Sequence, residues 1–221
     1  MHLKTLLAGL SLRSATADME TEITHISYDS RTTAPGDVFV AMTGFATDGH
    51  AYIGKAVAAG AAAVVCERPP EDSSVPYVLV ENSRRALAVM AANYYGHPAD
   101  SMTMVAVTGT NGKTTTTYLL KAMLEGCLHT KVGLIGTNQN LIGDEVIETE
   151  RTTPESYELH ALFARMRDAG CTHVIMEVSS HSLVLDRVHG IPFAVGAFTN
   201  LTQDHLDFHK TMESYCDAKA I

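Results

Sequence analysis

One run of twelve residues carries the sharpest chemical signal: Val105-Ala106-Val107-Thr108-Gly109-Thr110-Asn111-Gly112-Lys113-Thr114-Thr115-Thr116. It reads as an apolar strand, a glycine turn and a helix start bearing Lys-Thr. Glycines let a backbone turn tightly enough for successive N–H groups to face phosphate oxygens, and the helix N-terminus adds its positive dipole end. In that geometry Lys113 reaches the β- and γ-phosphates of a nucleotide, and the Thr114 hydroxyl takes a place on Mg²⁺. The usual pattern G-x-x-x-x-G-K-[ST] asks for glycine where this chain has Val107, so the loop is a shortened variant. Such a loop needs a carboxylate for its metal, usually at the end of a neighbouring strand. The run His173-Val174-Ile175-Met176-Glu177-Val178 offers Glu177 at the edge where α/β sheets bind ligands. Inside an apolar run a glutamate is costly unless it meets a cation; at the strand's exit it would simply be solvated. His205 and His209 stand four apart, but Leu206 holds the place of a zinc protease's glutamate, so that chemistry is poorly supported.

The elements that must position these groups come in two regions. In the first, short β-like runs (Ile23–Tyr28, Val38–Met42, Ala62–Cys66, Tyr77–Val80) alternate with helical segments. His50–Ala59 stops at Gly60, and Asn82 can cap a helix whose Leu87, Met90, Ala91 and Tyr94 share one face. His97-Pro98-Ala99-Asp100 reads as a domain boundary. Beyond it come strands at Met102–Thr108, Lys131–Thr137, His173–Val178 and Phe193–Phe198, with a helix from about Lys113 to Glu125. Pro154 suits the first turn of another helix, with Leu159, Leu162, Phe163 and Met166 on one face. Strands alternating with helices predict a parallel sheet covered on both faces. Met212–Ile221 begins a further helix without a capping glycine, the expectation for a truncated chain.

Composition narrows the classes. With 46% hydrophobic and 19% charged residues, the 221-residue chain is ordinary globular material. Its net charge of −9 divides evenly, with seven Lys/Arg against eleven Asp/Glu in residues 1–100 and nine against fourteen thereafter. Neither half offers a basic surface for nucleic acid. No apolar stretch reaches the ~18 residues of a membrane span. Four widely spaced cysteines fit neither a zinc pattern nor a disulfide framework and read as reduced thiols of a cytoplasmic protein. At the N-terminus, Ala15-Thr16-Ala17 resembles a signal-peptidase site, but Leu3, Leu6, Leu7 and Leu10 favour an amphipathic helix of the mature fold.

Taken together, several stretches resemble the Mur ligases, ATP-dependent amide-forming enzymes that extend the peptide of the bacterial cell-wall precursor. They are Thr108–Thr116, then Met176-Glu177-Val178-Ser179-Ser180-His181, then Phe198-Thr199-Asn200-Leu201-Thr202-Gln203-Asp204-His205-Leu206-Asp207, and Tyr215-x-x-x-Lys219. Tyr28-Asp29-Ser30-Arg31, Pro35–Ala41, Arg151-Thr152-Thr153-Pro154-Glu155 and Arg187 are similar to the branch that adds a diamino acid to a UDP-N-acetylmuramoyl-dipeptide. The resemblance implies an α/β fold, with a small UDP-sugar-binding domain over 1–99 and a P-loop, ATP-binding domain over 100–221. That second domain would be incomplete, and a third, amino-acid-binding domain absent.

The same resemblance assigns Gly109, Thr110, Asn111, Gly112, Lys113, Thr114 and Thr115 to the ATP phosphates. It gives Thr114, Glu177 and His205 to Mg²⁺. Ser30 and the Phe45-Ala46-Thr47 stretch would lie on the uridine end of the substrate, and Thr152, Thr153, Ser179 and Arg187 on its sugar, phosphate or peptide. From the residues alone, Thr153 could equally cap the helix opened by Pro154. Lys113, His205 and Lys219 are the implied catalytic groups, Lys219 as a carbamylated N6-carboxylysine holding a second magnesium. Without the resemblance, Lys219 reads as a solvated helix lysine. A cytoplasmic monomer is implied, unable to ligate on its own. The competing readings are a folylpolyglutamate-synthetase-like ligase, which tends to have Gly-Ser after the loop lysine, and a non-catalytic nucleotide-binding module.

Overall fold

Short apolar runs separated by helices build two sheets, described over residues 1–44 and 47–221 of a computed structural model. Contacts divide the chain into two units, Met1–Tyr94 and Tyr95–Ile221.

In the first unit, α1 (Leu3–Leu6), β1 (Leu12–Ala15), β2 (Ile26–Ser27), β3 (Val38–Val40), α2 (Ile53–Ala58), β4 (Ala63–Cys66), β5 (Tyr77–Val80) and α3 (Ser83–Tyr94) follow in order. The sheet order is β1-β5-β4-β3-β2. Its last four strands are parallel, and β1 joins β5 antiparallel. Phe39, Val64 and Cys66 pack with Ile53 and Ala56 of α2 in one apolar cluster. Asn82 caps α3 as expected, its Oδ1 accepting from the N–H groups of Arg84 and Arg85 at 2.9 and 3.0 Å. The N-terminal helix is shorter than its leucine spacing predicts. Leu3, Leu6 and Leu7 are buried, but Gly9 turns left-handed at φ +82° and the chain leaves as β1. All four residues of β1 are exposed, so no alternation marked it as a strand.

In the second unit come β6 (Thr103–Thr108), α4 (Lys113–Leu128), β7 (Lys131–Ile135), β8 (Asn140–Ile142), β9 (Glu145–Ile147), α5 (Ser156–Asp168), β10 (Cys171–Glu177), α6 (Ser180–Val184), β11 (Phe193–Phe198), α7 (Leu206–His209) and α8 (Met212–Ala220). The order β11-β6-β10-β7-β8-β9 is parallel through its first four strands. The antiparallel β8–β9 hairpin at the far edge turns on Gly143-Asp144, a two-residue signal the strand reading passed over.

Strand alternation puts the two helices on opposite faces. Met104, Val174 and Met176 pack with Leu159, Phe163 and Met166 of α5, while Val107, Val132 and Ile175 pack with Leu120 and Leu124 of α4. Pro154 lies outside α5, which starts at Ser156 behind Glu155. The Thr153 hydroxyl is engaged elsewhere, so it does not cap that helix. All four parallel strands point the same way, which brings Thr108, Ile135, Glu177 and Phe198 to one edge.

Phe163→Ala, which empties a fully buried position under the sheet, should lower stability by ~3–5 kcal/mol. Val195→Ala, on an exposed strand position, should stay within ~0.5 kcal/mol. Urea unfolding monitored by circular dichroism measures both.

Candidate functional site

The turn between β6 and α4 is held by the segment that follows β11. Phe198 pairs with Thr108, so the next residues pass directly beside the loop. Gly109 has φ +139°, and a Cβ there would fall 2.0 Å from Thr199 Oγ1. The Thr110 N–H donates to the Asn200 carbonyl at 2.9 Å, and the Asn111 N–H to Asn200 Oδ1 at 3.0 Å. The Asn111 carbonyl accepts from Asn200 Nδ2 at 3.0 Å and from Thr199 Oγ1 at 2.7 Å. Two amides of the predicted phosphate cradle are thus bonded within the protein. Those of Gly112 to Thr115 belong to the helix start, where geometry leaves N–H groups without intrahelical partners.

Two lysines converge on the same loop. Lys113 Nζ donates to the carbonyls of Gly109 and Thr110, both at 2.9 Å. Lys219 Nζ donates to the Gly109 carbonyl at 3.0 Å and lies 4.9 Å from the centre of the Tyr215 ring. Lys219 is buried, which excludes a solvated helix lysine, and burial with the nearby Lys113 charge lowers its pKa to about 8. The fully buried Tyr215 places its hydroxyl 3.2 Å from Thr110 Oγ1, so α8 clasps the loop from a third side.

Glu177 ends β10 with no exposure at all, which excludes a solvated carboxylate. Its Oε2 accepts from Thr114 Oγ1 at 3.1 Å and from Thr137 Oγ1 at 3.0 Å, and its Oε1 accepts from the Thr137 N–H at 3.1 Å. Gly136 is required here because a Cβ would meet Glu177 Oε1 at 2.4 Å. No ion pair to Glu177 occurs among the described residues. A carboxylate and hydroxyl oxygens form a hard donor set that fits Mg²⁺.

The other candidates join this centre by a continuous network. Thr152 and Thr137 hydroxyls lie 3.0 Å apart. The Thr153 hydroxyl donates to the Glu177 carbonyl at 2.9 Å and accepts from the Ser179 N–H at 3.1 Å. Ser179 caps α6 through the Ser182 N–H. Arg187 donates to the Thr153 carbonyl at 3.0 Å and pairs with Glu155 at 2.6 Å. His205 stands apart from this network. It is exposed, with its ring 5.1 Å from that of His181 and its Nε2 3.6 Å from Asp204. Among the described residues no cluster of three His, Cys, Asp or Glu ligands forms.

In the first unit, Ser30 and Thr47 line a common cleft of about 460 Å³ with Tyr28, Tyr52, Lys55 and Arg84. Phe45 and Ala46, singled out with Thr47, lie outside the described residues. Asp29 fastens the wall, its carboxylate bound by Arg31, which holds its pKa down at about 2. Lys55, Arg84, Thr137, Asn200 and Tyr215 had no assigned role in the sequence reading. Thr137 at the end of an apolar run was the one position at which strand direction alone could have placed a donor beside Glu177.

Lys219 yields a pH test. Its folded pKa lies below the ordinary lysine value of 10.5, so folding penalises the charged form and the penalty is full below about pH 8. Between pH 8 and 10.5 this lysine binds more protons in the unfolded chain, so its own contribution to stability should rise with pH by a few kcal/mol. Lys219→Met should lose that rise, as read from urea midpoints across the range.

Comparison with known proteins bears on the whole chain. Residues 107–221 match the family described as the Mur ligase middle domain, and residues 22–95 the family described as Mur ligase family, catalytic domain. A protein of Clostridium tetani named UDP-N-acetylmuramoyl-L-alanyl-D-glutamate–2,6-diaminopimelate ligase is 50% identical over 99% of this chain and 46% of its own length. A protein of the same name from Chlorobium phaeobacteroides is 52% identical over 89% of this chain and 39% of its own length. The chain therefore spans under half the length of these curated relatives. A solved structure titled with the same ligase name superposes with TM-score 0.80 at 24% identity, covering 100% of this chain and 44% of the other, a likeness of fold. The MurF ligase of Thermotoga maritima in complex with ADP gives TM-score 0.56 at 27% identity, over 90% of this chain and 43% of that one. Among the described residues, no helix is long and apolar enough to cross a membrane.

Proposed function

The chain belongs to the Mur ligase family, and we propose that it serves the ATP-dependent joining of 2,6-diaminopimelate to UDP-N-acetylmuramoyl-L-alanyl-D-glutamate in peptidoglycan synthesis. The observation that carries this reading is the contact between Thr114, at the start of α4, and the buried carboxylate of Glu177. It supports a nucleotide site because a hydroxyl and a carboxylate suited to a metal lie beside the loop on which Lys113 rests. The diamino acid is taken from the names of relatives about half identical to this chain.

In this reading the terminal D-glutamyl carboxylate of the substrate attacks the γ-phosphate of ATP, giving an acyl phosphate and ADP. The amine of the diamino acid then displaces phosphate and leaves an amide. The first step brings two anions together, so cations fixed in advance are its main physical requirement. Lys113 swings from the Gly109 and Thr110 carbonyls to the phosphates, a short path because both lie within the loop itself. Mg²⁺, when bound by Thr114 and Glu177, would neutralise charge on the phosphate oxygens; His205 would join them by a movement of its exposed ring. Arg187 is oriented by Glu155 and the Thr153 carbonyl, and with Thr152 and Ser179 it forms the wall facing the acceptor carboxylate. Burial favours the neutral amine of Lys219, the form that adds CO₂ with loss of a proton to give the carbamate.

The cleft of Ser30 and Thr47 takes the uridine nucleotide, with Lys55 and Arg84 as cations for its diphosphate and aromatic rings for its base. The reaction then runs in the cytoplasm, where its nucleotide substrates are.

Isothermal titration calorimetry of the chain against UDP-N-acetylmuramoyl-L-alanyl-D-glutamate and against a tetrahydrofolate tests the substrate class. Heat with the muramoyl nucleotide alone is expected; heat with the folate alone would move the chain to the folylpolyglutamate branch. In the intact ligase, Lys113→Ala should lower turnover by roughly 10²–10³ in a phosphate-release assay, as for loss of one preorganised donor. A near-normal rate would remove Lys113 from the chemistry.

A further inference from the structure

We propose that Asn200 is a positioning residue for the nucleotide phosphates, its side-chain amide splinting the Asn111 peptide and so fixing the loop from which α4 starts. The proposal rests on the nucleotide reading above. The loop from Gly109 to Gly112 is too short to form a hydrogen-bonded structure of its own, and its end glycines sit at φ +139° and +84°. Glycine reaches such angles without strain but also leaves them freely, so the loop's conformation has to be fixed by its surroundings. Lys113, Lys219 and Tyr215 hold the loop's carbonyls and the Thr110 hydroxyl, and the Thr110 and Asn111 amides are held by Asn200. Asn200 gives its backbone carbonyl to the Thr110 N–H, its Oδ1 to the Asn111 N–H and its Nδ2 to the Asn111 carbonyl.

An amide side chain suits this, because it carries an acceptor and a donor side by side. The pairing copies one rung of a sheet at a place where the sheet has ended. Topology explains why position 200 is the one used. The strand β11 runs parallel beside β6, and its pairing ends at Phe198 with Thr108, two residues before Asn200 and three before Asn111. Thr199 and Thr202 add bonds on either side, to the Asn111 carbonyl and to the Asn111 side chain. The Thr110 and Asn111 amides are thereby committed to the protein, and phosphate contacts fall to Gly112, Lys113, Thr114 and Thr115. Asn200 thus acts through the Asn111 peptide and touches no phosphate itself.

Amide hydrogen exchange and calorimetry with Mg·ADP, on the wild-type chain and on Asn200→Ala, test this. Asn111 is expected to be protected in the wild type and to lose that protection in Asn200→Ala, while Thr110, bonded to the backbone carbonyl of residue 200, and the interior amides of β6 and α4 keep theirs. The Kd for Mg·ADP should weaken about tenfold, the equivalent of ~1.4 kcal/mol. Asn200→Asp keeps the shape and the acceptor but not the donor. It should retain protection at Asn111 and still weaken the nucleotide, and it carries the test if the alanine variant does not fold. Wild-type binding with both variants within twofold of it and loop protection unchanged would overturn the splint and leave the nucleotide reading standing. Failure of the wild type to bind Mg·ADP would overturn both.

Discussion

A carboxylate with no exposed surface must be satisfied where it stands, and the second unit is arranged around that requirement at Glu177. Burying an unpaired anion is among the most unfavourable events in a fold. Here Thr114 and Thr137 supply three hydrogen bonds, and Gly136 clears the space a side chain would have filled. Those donors come from the start of α4 and the end of β7, elements that meet only because the strands are parallel. The requirement therefore ties the helix start, two strand ends and the Thr152–Thr153 segment to a single point.

Around that point, charge is concentrated without being cancelled. Lys113 and Lys219 are both held by the Gly109 carbonyl, and burial, then the charge of Lys113, lowers the pKa of Lys219. Arg187 is neutralised by Glu155, which makes it an oriented donor more than a free charge. Carbonyls hold Lys113 loosely compared with a carboxylate, so it can be redirected to an anion. A site for phosphoryl transfer needs that combination of fixed position and available charge.

Much of this arrangement was legible in the residues, and the boundary of what was legible has a physical cause. The loop, its helix and Glu177 announce themselves because local pattern encodes strand, turn and helix start, and strand direction places their ends together. The apolar face of α5 followed from spacing. The β8–β9 hairpin was missed although Gly143-Asp144 signalled it, because its strands are only three residues long. The strand β1 left no periodic trace, being exposed throughout. Asn200 and Tyr215 lie 89 and 105 positions from their loop partners, and nothing local tells that their polar atoms end on Asn111 and Thr110. The Thr152, Thr153, Ser179 and Arg187 group rested on family likeness alone, since capping and solvation explained each residue equally well.

The two crowded glycines narrow how such a protein can be made sturdier. Replacing glycine with alanine commonly strengthens a fold by thinning out the unfolded ensemble. At Gly109 and Gly136 that route is shut, because the added methyl would strike Thr199 or the Glu177 carboxylate. Gly54 and Gly126 sit within α2 and α4 with open space where a methyl would go. Thermal hardening of this chain is therefore available on its helices and closed beside its chemistry, a division that any breeding for heat tolerance would have to respect.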